Sequence, residues 1–255
     1  MSDIGLALRQ VRYENRAFWR NPAAAFFTFV FPLLFMVIFN TLFGDATAPP
    51  GRRPADFFTP AIIVFSVINA TYTNLVMIVT AVREQGILKR VRGTPLPSWA
   101  YLAGRIGQAI SAALLLVVIV AAFGALAYGV EVPWARLPAL VLTLAVGAAA
   151  FCALGLAVTA FVPNEDAAPA VANATILPLL FISNVFIQLP DDAPAWVDSL
   201  SSLFPVRHFA DAMLTIYAPG AGGSGLSPDH LAVMAGWGVA GLLVALWRFR
   251  WEPRR

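Results

Sequence analysis

Residues Arg83–Pro97 read R-E-Q-G-I-L-K-R-V-R-G-T-P-L-P and separate two long apolar runs. Charged residues surround three apolar ones in this segment, Ile87, Leu88 and Val91. The i, i+1, i+4 spacing of these three places them on one face of a short helix, which the prolines that follow bring to an end. A basic loop between apolar runs is typical of the cytoplasmic side of a membrane protein. The apolar face of the loop is therefore predicted to bind either lipid or a soluble partner.

The composition indicates an integral membrane protein. Of the 255 residues, 59% are hydrophobic and only 12% are charged, against about 25% charged in an ordinary soluble domain. The net charge of +3 gives no indication of nucleic-acid binding. The single cysteine, Cys152, excludes an intrachain disulfide and lies in an apolar run, where we expect it to be inert packing.

The apolar runs predict an all-α fold with six transmembrane helices, each long enough to cross a hydrocarbon layer of about 30 Å. The predicted spans are residues 22–43, 57–81, 99–128, 137–162, 170–189 and 230–249. Between the last two spans, residues 194–217 predict short helices that are too brief to cross the membrane and lie at the outer leaflet. In the fourth span, Ala149, Ala153 and Ala157 repeat at four-residue spacing, which favours close helix packing within the chain over a dimer contact.

Residues 1–21 predict an amphipathic helix that lies in the headgroup plane. Arginines recur along one face at positions 9, 12, 16 and 20, opposite an apolar face. Such a helix attracts anionic lipid. A partly frayed basic tail is the alternative interpretation.

The distribution of basic residues predicts the orientation. With six spans both termini lie on the same side, and placing them in the cytoplasm puts thirteen of the seventeen basic residues inside. The four outside are Arg52, Arg53, Arg136 and Arg207. The positive-inside rule selects this arrangement, and the Arg- and Ala-rich composition suggests a bacterial cell membrane.

Two spans carry polar residues at their centres. The second contains Asn69, Tyr72 and Thr73, and the fifth contains Asn173, Asn184 and Gln188, which share one face of a regular helix. Polar groups at this depth face protein or water rather than lipid. They either line a transport pathway or form hydrogen bonds between helices of one subunit, and both interpretations stay open.

Motifs for catalysis and for nucleotide binding are absent from the sequence. It contains no G-x-x-x-x-G-K-[ST] phosphate loop, no nucleophile elbow and no H-E-x-x-H. His208 and His230 are far apart in the chain, and Asp191-Asp192 sits in a proline-flanked loop where it suits a helix start better than a metal site. We therefore predict no catalytic residues, no metal and no cofactor in this chain. A membrane protein without its own energy source suits a transporter that is driven by another subunit.

Several motifs resemble the permeases of type-2 ABC exporters, similar to the daunorubicin-resistance type of drug-efflux permease. The pattern R-E-Q-G-x-L-K-R-x-R-x-T-P-L follows the second span, as in that family. The surface helix ends in R-N-P before the first span, and the late segment contains P-L-L-F-I-S-N-V-F-I and L-F-P-V-R-H-F-A-D-A. One departure is Ser183-Asn184, where the family often has Ser-Gly.

The resemblance implies a single permease domain over residues 1–255 that exports an amphipathic or apolar compound such as a drug or natural product. Two cytoplasmic ATPase subunits would bind ATP and Mg²⁺, and a second permease chain and membrane lipids complete the partners. The loop at 83–97 would carry the coupling helix, and its predicted ATPase contacts are Glu84, Gln85, Gly86, Ile87, Leu88, Lys89 and Arg90. The apolar trio would fill a cleft of the ATPase, and Asn69, Tyr72, Thr73, Asn173, Asn184 and Gln188 would line the path.

Three other functions stay open at this point. The first is a lipid or polysaccharide exporter of the same family. The second is an intramembrane lipid-modifying enzyme, which would need clustered Asp, His or Lys at an interface. The third is a membrane anchor or regulatory subunit, which co-expression with an ATPase would distinguish.

Overall fold

The computed structural model describes residues 3–42, 53–93, 98–186, 194–220 and 222–248, and over these ranges it is helical without a β-strand. The helices are α1 (Asp3–Trp19), α2 (Pro22–Leu42), α3 (Pro54–Ile68), a π-helical turn (Asn69–Thr73), α4 (Asn74–Glu84), α5 (Ile87–Arg92), α6 (Ser98–Tyr128), a 3-10 turn (Trp134–Arg136), α7 (Leu137–Thr159), α8 (Ala168–Phe181), α9 (Ala195–Leu203), α10 (Pro205–Ile216) and α11 (Pro228–Arg248).

Among the described residues, five helical stretches are long and apolar enough to cross a membrane. They are Ala25–Leu42, Pro54–Glu84, Trp99–Tyr128, Trp134–Thr159 and Pro228–Arg248. The second is longer than its predicted range of 57–81, because α3, the π-helical turn and α4 run on without a break. The all-helical fold class is confirmed by these elements, and the count of six spans is not.

The predicted span at residues 170–189 is wrong in length. Helix α8 has 14 residues, which corresponds to about 21 Å at 1.5 Å per residue. It ends at Phe181, shortly after Pro178, and Asn184 adopts a left-handed backbone with φ of 57°. A proline removes a backbone donor and a left-handed residue reverses the chain, so a regular helix cannot continue.

Helix α3 lies at the centre of the fold. Every residue from Ala55 to Ile68 is buried, and the helix packs against α2, α6, α7 and α10. Two phenylalanines of α2 contact α3: Phe35 stacks on Phe65, and Phe39 meets Phe58 in a tilted arrangement. The second span is therefore enclosed by protein, whereas α2 and α11 leave most of their surface open to lipid.

Helices α7 and α11 approach each other closely through small residues. Gly238 lies against Ala150, and Gly241 lies against the backbone of Ala153 and Leu154, where a methyl group would meet atoms at about 3 Å. Small residues permit this separation because no side chain keeps the two backbones apart. Of the predicted stripe, Ala153 takes part in this contact, whereas Ala149 is exposed and Ala150 and Leu154 supply the other contacts.

Helix α1 packs along α6. Gly104 and Gly107 of α6 lie directly against Gln10 and Val11 of α1. Near these contacts, the Glu14 side chain is only 3% exposed. Its carboxylate forms an ion pair with Arg105 at 2.7 Å and accepts a hydrogen bond from the Gln10 amide at 2.9 Å. A buried carboxylate requires such a partner because removing it from water is costly. The face of α1 away from α6 exposes Arg12, Arg16 and Arg20.

The segment before α11 folds as α9 and α10, and α10 is deeply buried. Val206, Phe209 and Met213 are enclosed between α3, α7 and α11. Arg136, at the start of α7, donates to the carbonyl oxygens of Thr215 at 2.9 Å and Ile216 at 3.1 Å. These carbonyls lie at the C-terminal end of α10, where carbonyl groups lack regular helical partners, and the guanidinium supplies donors to them.

Candidate functional site

A sharp turn links the second span to the short helix α5. Gly86 has φ of 67° and precedes Ile87, the first residue of α5. A left-handed backbone disfavours any residue with a Cβ, so Gly86 has a backbone role in turning the chain. The Arg90 guanidinium donates to the Gln85 carbonyl at 2.9 Å and closes the turn.

The expectation that the apolar trio of α5 faces outward is wrong for Leu88. Leu88 is completely buried and packs against Val82 of α4 and Tyr101 of α6, with Ile87 and Val91 partly buried beside it. A six-residue helix has no other means of attachment than this apolar face. Leu88 therefore anchors α5 to its own chain, while Ile87 and Val91 keep part of their surface accessible.

The surface that α5 leaves accessible is polar. Gln85, Lys89 and Arg90 are exposed, and Glu84 is half-buried. Gln85 also donates to Glu165 in the turn between α7 and α8, at 3.3 Å. Of the residues predicted to contact an ATPase, Gln85, Lys89 and Arg90 are exposed, Glu84, Gly86 and Ile87 are partly buried, and Leu88 is fully buried.

Arg83 is a residue that the sequence analysis did not include among the site residues. Its side chain is 1% exposed, and its guanidinium donates to the carbonyl oxygens of Thr159 at 2.7 Å and Val162 at 2.8 Å. These carbonyls lie at the C-terminal end of α7 and in the following turn. The available signal was an arginine at the end of an otherwise apolar span, where a buried guanidinium needs acceptors.

A groove between α2, the second span and α8 brings together three of the predicted pathway residues. It has a volume of about 450 Å³ and its polar lining consists of Asn69, Thr73 and Asn173. The other lining residues are Phe31, Phe35, Phe65, Ile68, Ile176, Leu177, Leu180, Phe181 and Phe186. The lining carries no charge, so it suits an uncharged aromatic or amphipathic molecule of drug size.

The remaining pathway predictions fall outside this groove. The Tyr72 hydroxyl lies 2.6 Å from the Thr175 hydroxyl and forms a hydrogen bond between the π-helical turn and α8. The expected shared face of Asn173 and Asn184 is wrong, because α8 ends before Asn184 and the Asn184 amide donates to Asp211 of α10 at 3.1 Å. Gln188 and the Asp191-Asp192 pair lie outside the described residues.

A smaller cavity of about 140 Å³ lies behind the groove. Asn69 and Thr73 line both spaces, and Phe18, Thr28, Ser66 and Asn74 complete the polar and aromatic part of the second one. A π-helical turn widens the helix locally and often occurs at functional sites. Here the first and last residues of the π-helical turn, Asn69 and Thr73, line both cavities.

The two histidines meet in the structure although they are distant in sequence. The Nδ1 atoms of His208 and His230 are 2.8 Å apart, and His208 Nε2 lies 2.8 Å from the Ser202 carbonyl oxygen. Because a carbonyl only accepts, His208 Nε2 carries a proton, and in the neutral pair the Nδ1 proton belongs to His230. Within the described part of the chain, no three His, Cys, Asp or Glu side chains form a metal-binding group.

Comparison with known proteins identifies related chains. The family model of the ABC-2 type transporter matches residues 9–217. The probable multidrug ABC transporter permease YbhR of Escherichia coli is 29% identical over 161 residues, which cover 61% of this chain and 43% of YbhR. The daunorubicin resistance ABC transporter permease protein DrrB1 of Streptomyces coeruleorubidus is 25% identical over 201 residues, 77% of this chain and 69% of that protein. The inner membrane transport permease YadH of E. coli is 26% identical over 175 residues, 68% of this chain and 67% of YadH.

Proposed function

The chain belongs to the ABC-2 type transporter family, and from this premise we propose that it is the membrane subunit of an ATP-driven exporter of amphipathic or apolar compounds. The observation that carries this proposal is the uncharged groove between α2, the second span and α8. Its phenylalanines offer ring surfaces for an aromatic cargo. Its two amides, Asn69 and Asn173, offer a donor and an acceptor each for polar groups at the edge of that cargo.

The energy for transport comes, in this proposal, from two cytoplasmic ATPase subunits that bind ATP and Mg²⁺. The exposed groups of Gln85, Lys89 and Arg90 support a polar contact with such a subunit, since charged rims set orientation and partner choice more than affinity. ATP binding draws the two ATPases together, and α5 passes this movement to the membrane helices.

A second permease chain, identical or different, closes the groove in the assembled exporter. Phe31, Leu177 and Phe181 lie at the edge of the groove and are each about 40% to 50% exposed. These apolar side chains are exposed in a single chain, and a second chain that packs against them would cover them and close the pathway. The exporter lies in the bacterial cell membrane with both termini in the cytoplasm, and the exposed arginines of α1 contact anionic lipid.

The proposal is tested by reconstituting the chain with the ATPase encoded beside it and measuring hydrolysis against a panel of compounds. Aromatic amphipathic compounds such as daunorubicin should stimulate hydrolysis. Asn173→Leu should reduce this stimulation by about tenfold, because it removes one of the groove amides. Ala174→Leu, on an exposed position of the same helix that does not line the groove, should leave it unchanged.

Two results would contradict the proposal, one its cargo class and the other the exporter function. Stimulation by lipid-linked sugars or phospholipids, with no response to aromatic compounds, would favour the lipid or polysaccharide exporter. Failure of the wild-type chain to bind or stimulate any ATPase would remove the exporter function itself.

A further inference from the structure

We propose that Arg83 is a positioning residue that fixes the turn between α7 and α8 to the coupling segment, so that α8 moves with α5. The inference rests on the proposed function, because it names the route by which ATPase movement reaches the groove. Three observations carry it: the contacts of Arg83, the short path from the turn to Asn173, and a second link that joins the second span directly to α8.

Arg83 makes the first connection. It is the next-to-last residue of α4, two residues before the turn at Gln85 and Gly86. Its guanidinium holds the Thr159 and Val162 carbonyl oxygens at 2.7 Å and 2.8 Å. Charge-assisted bonds made in a buried site are strong, and the helix-end carbonyls of α7 carry partial negative charge. The ends of α4 and α7 are therefore joined at this point by one side chain.

The turn that Arg83 contacts leads directly into α8. The Asn164 side chain accepts from the Ala167 backbone amide at 2.9 Å and so organises the start of α8 at Ala168. Asn173, which lines the groove, lies between one and two helical turns farther along α8. A displacement of the turn by the Arg83 side chain thus displaces a groove residue through one short rigid helix.

A second link joins the second span directly to α8, closer to the membrane centre. The Tyr72–Thr175 hydrogen bond of 2.6 Å connects the π-helical turn to α8, and α4 packs against α8 between the two links. Two attachment points along one helix prevent it from pivoting, so α4 and α8 behave as one body. The Gln85–Glu165 contact of 3.3 Å reinforces the lower point at the surface.

Arg136 provides a matched control within the chain. It is also a buried arginine that holds helix-end carbonyls, those of Thr215 and Ile216. It lies at the N-terminal end of α7, however, whereas Arg83 binds the C-terminal end, about 35 Å away along a helix of 23 residues. Loss of the Arg136 guanidinium removes donors from the end of α10, whereas loss of the Arg83 guanidinium weakens the link between the coupling segment and the turn that leads into α8.

The test uses spin labels on the full complex with its ATPase in lipid nanodiscs, in a Cys152→Ala background. One label pair, Gly93→Cys with Ala170→Cys, reports the distance from the end of α5 to the start of α8. A second pair, Gly93→Cys with Phe27→Cys, reports movement of α5 relative to an exposed position near the start of α2, across the groove from α8. With the native Arg83, ATP plus vanadate should change the second distance and leave the first unchanged.

In the R83Q variant, the distribution of the first distance should become broad and should change with nucleotide. The ATPase should still co-purify in the wild-type ratio. R83K should show a smaller loss, because an ammonium cannot bind two carbonyls as a planar fork does; it also serves as the test if R83Q does not accumulate. R136Q should lower the melting temperature and keep the first distance fixed.

Three outcomes would overturn the inference. They are a first distance that changes with nucleotide in the native chain, an R83Q variant in which it stays fixed, and an R136Q variant that loosens it as much as R83Q does. A native chain that binds no ATPase would instead contradict the proposed function, and the two failures are therefore distinguishable.

Discussion

The loop between the second and third spans shows how residue-level roles divide within one short motif. Gly86 supplies a backbone conformation, Leu88 supplies an internal anchor, and Arg83 joins two helix ends. Among the charged side chains of this motif that the structure describes, Lys89 and Arg90 are exposed. A single pattern in the sequence therefore contains groups that hold the loop to its own chain and groups that are available to a partner.

Replacing Leu88 by alanine should lower stability and not remove a contact with a partner. Its side chain is fully buried against Val82 and Tyr101, so Leu88→Ala should cost about 3 kcal/mol of unfolding free energy by lost burial and a residual cavity. Thermal unfolding in detergent measures this effect. Lys89→Ala should leave unfolding unchanged and weaken recovery of the ATPase. If Leu88→Ala left unfolding unchanged and weakened recovery of the ATPase, Leu88 would instead be a residue that contacts the ATPase.

At the scale of elements, close helix contacts depend on glycines at particular positions. Gly104 and Gly107 let α1 lie on α6, and Gly238 and Gly241 let α11 lie on α7. The glycines of α6 also bring Glu14 within reach of Arg105. The close approach thus buries the carboxylate and supplies its partner at the same time, as a buried charge requires.

Gly107→Ala should separate α1 from α6. A Cβ at this position would overlap a methyl group of Val11, and overpacking of this kind costs about 2 kcal/mol. Limited proteolysis of α1 and thermal unfolding should both detect the change. The control is Gly236→Ala in α11, where no atom lies within 4 Å of the new methyl group. That control should stabilise its helix slightly, by up to about 1 kcal/mol; equal effects of the two substitutions would contradict the packing argument.

At the scale of the whole molecule, the number of crossings depends on α8 and the chain that follows it. Five stretches in the described ranges are long enough to span, and α8 is shorter than the hydrocarbon layer. Both termini lie on the cytoplasmic side only if the chain between α7 and α11 also crosses. The loop before α11 must then lie outside.

Labelling of single cysteines in intact cells tests this topology. A membrane-impermeant maleimide should react with Ser224→Cys from outside, and with Arg16→Cys and Gly93→Cys only after permeabilisation, because basic segments are retained in the cytoplasm. The three positions are exposed in the structure, so a lack of reaction reports sidedness. Reaction of Gly93→Cys from outside would place α5 where no ATPase could reach it, and a protected Ser224→Cys would mean that α8 does not cross.

The sequence by itself determined the all-helical membrane fold, the approximate positions of the five long apolar helices and a short amphipathic helix after the second span. These features follow from apolar length and from local motifs, which act over one helix or one turn. It also identified Asn69, Thr73 and Asn173, which the tertiary structure brings into one groove.

Only the tertiary structure decided that Leu88 faces inward, that α8 stops before Asn184, and that Arg83 and Glu14 are buried with partners. Each of these depends on which distant helix lies opposite a side chain. Helical periodicity places residues on a face, but it does not say whether that face meets lipid, a partner or another helix of the same chain, because all three accept similar residues in a membrane.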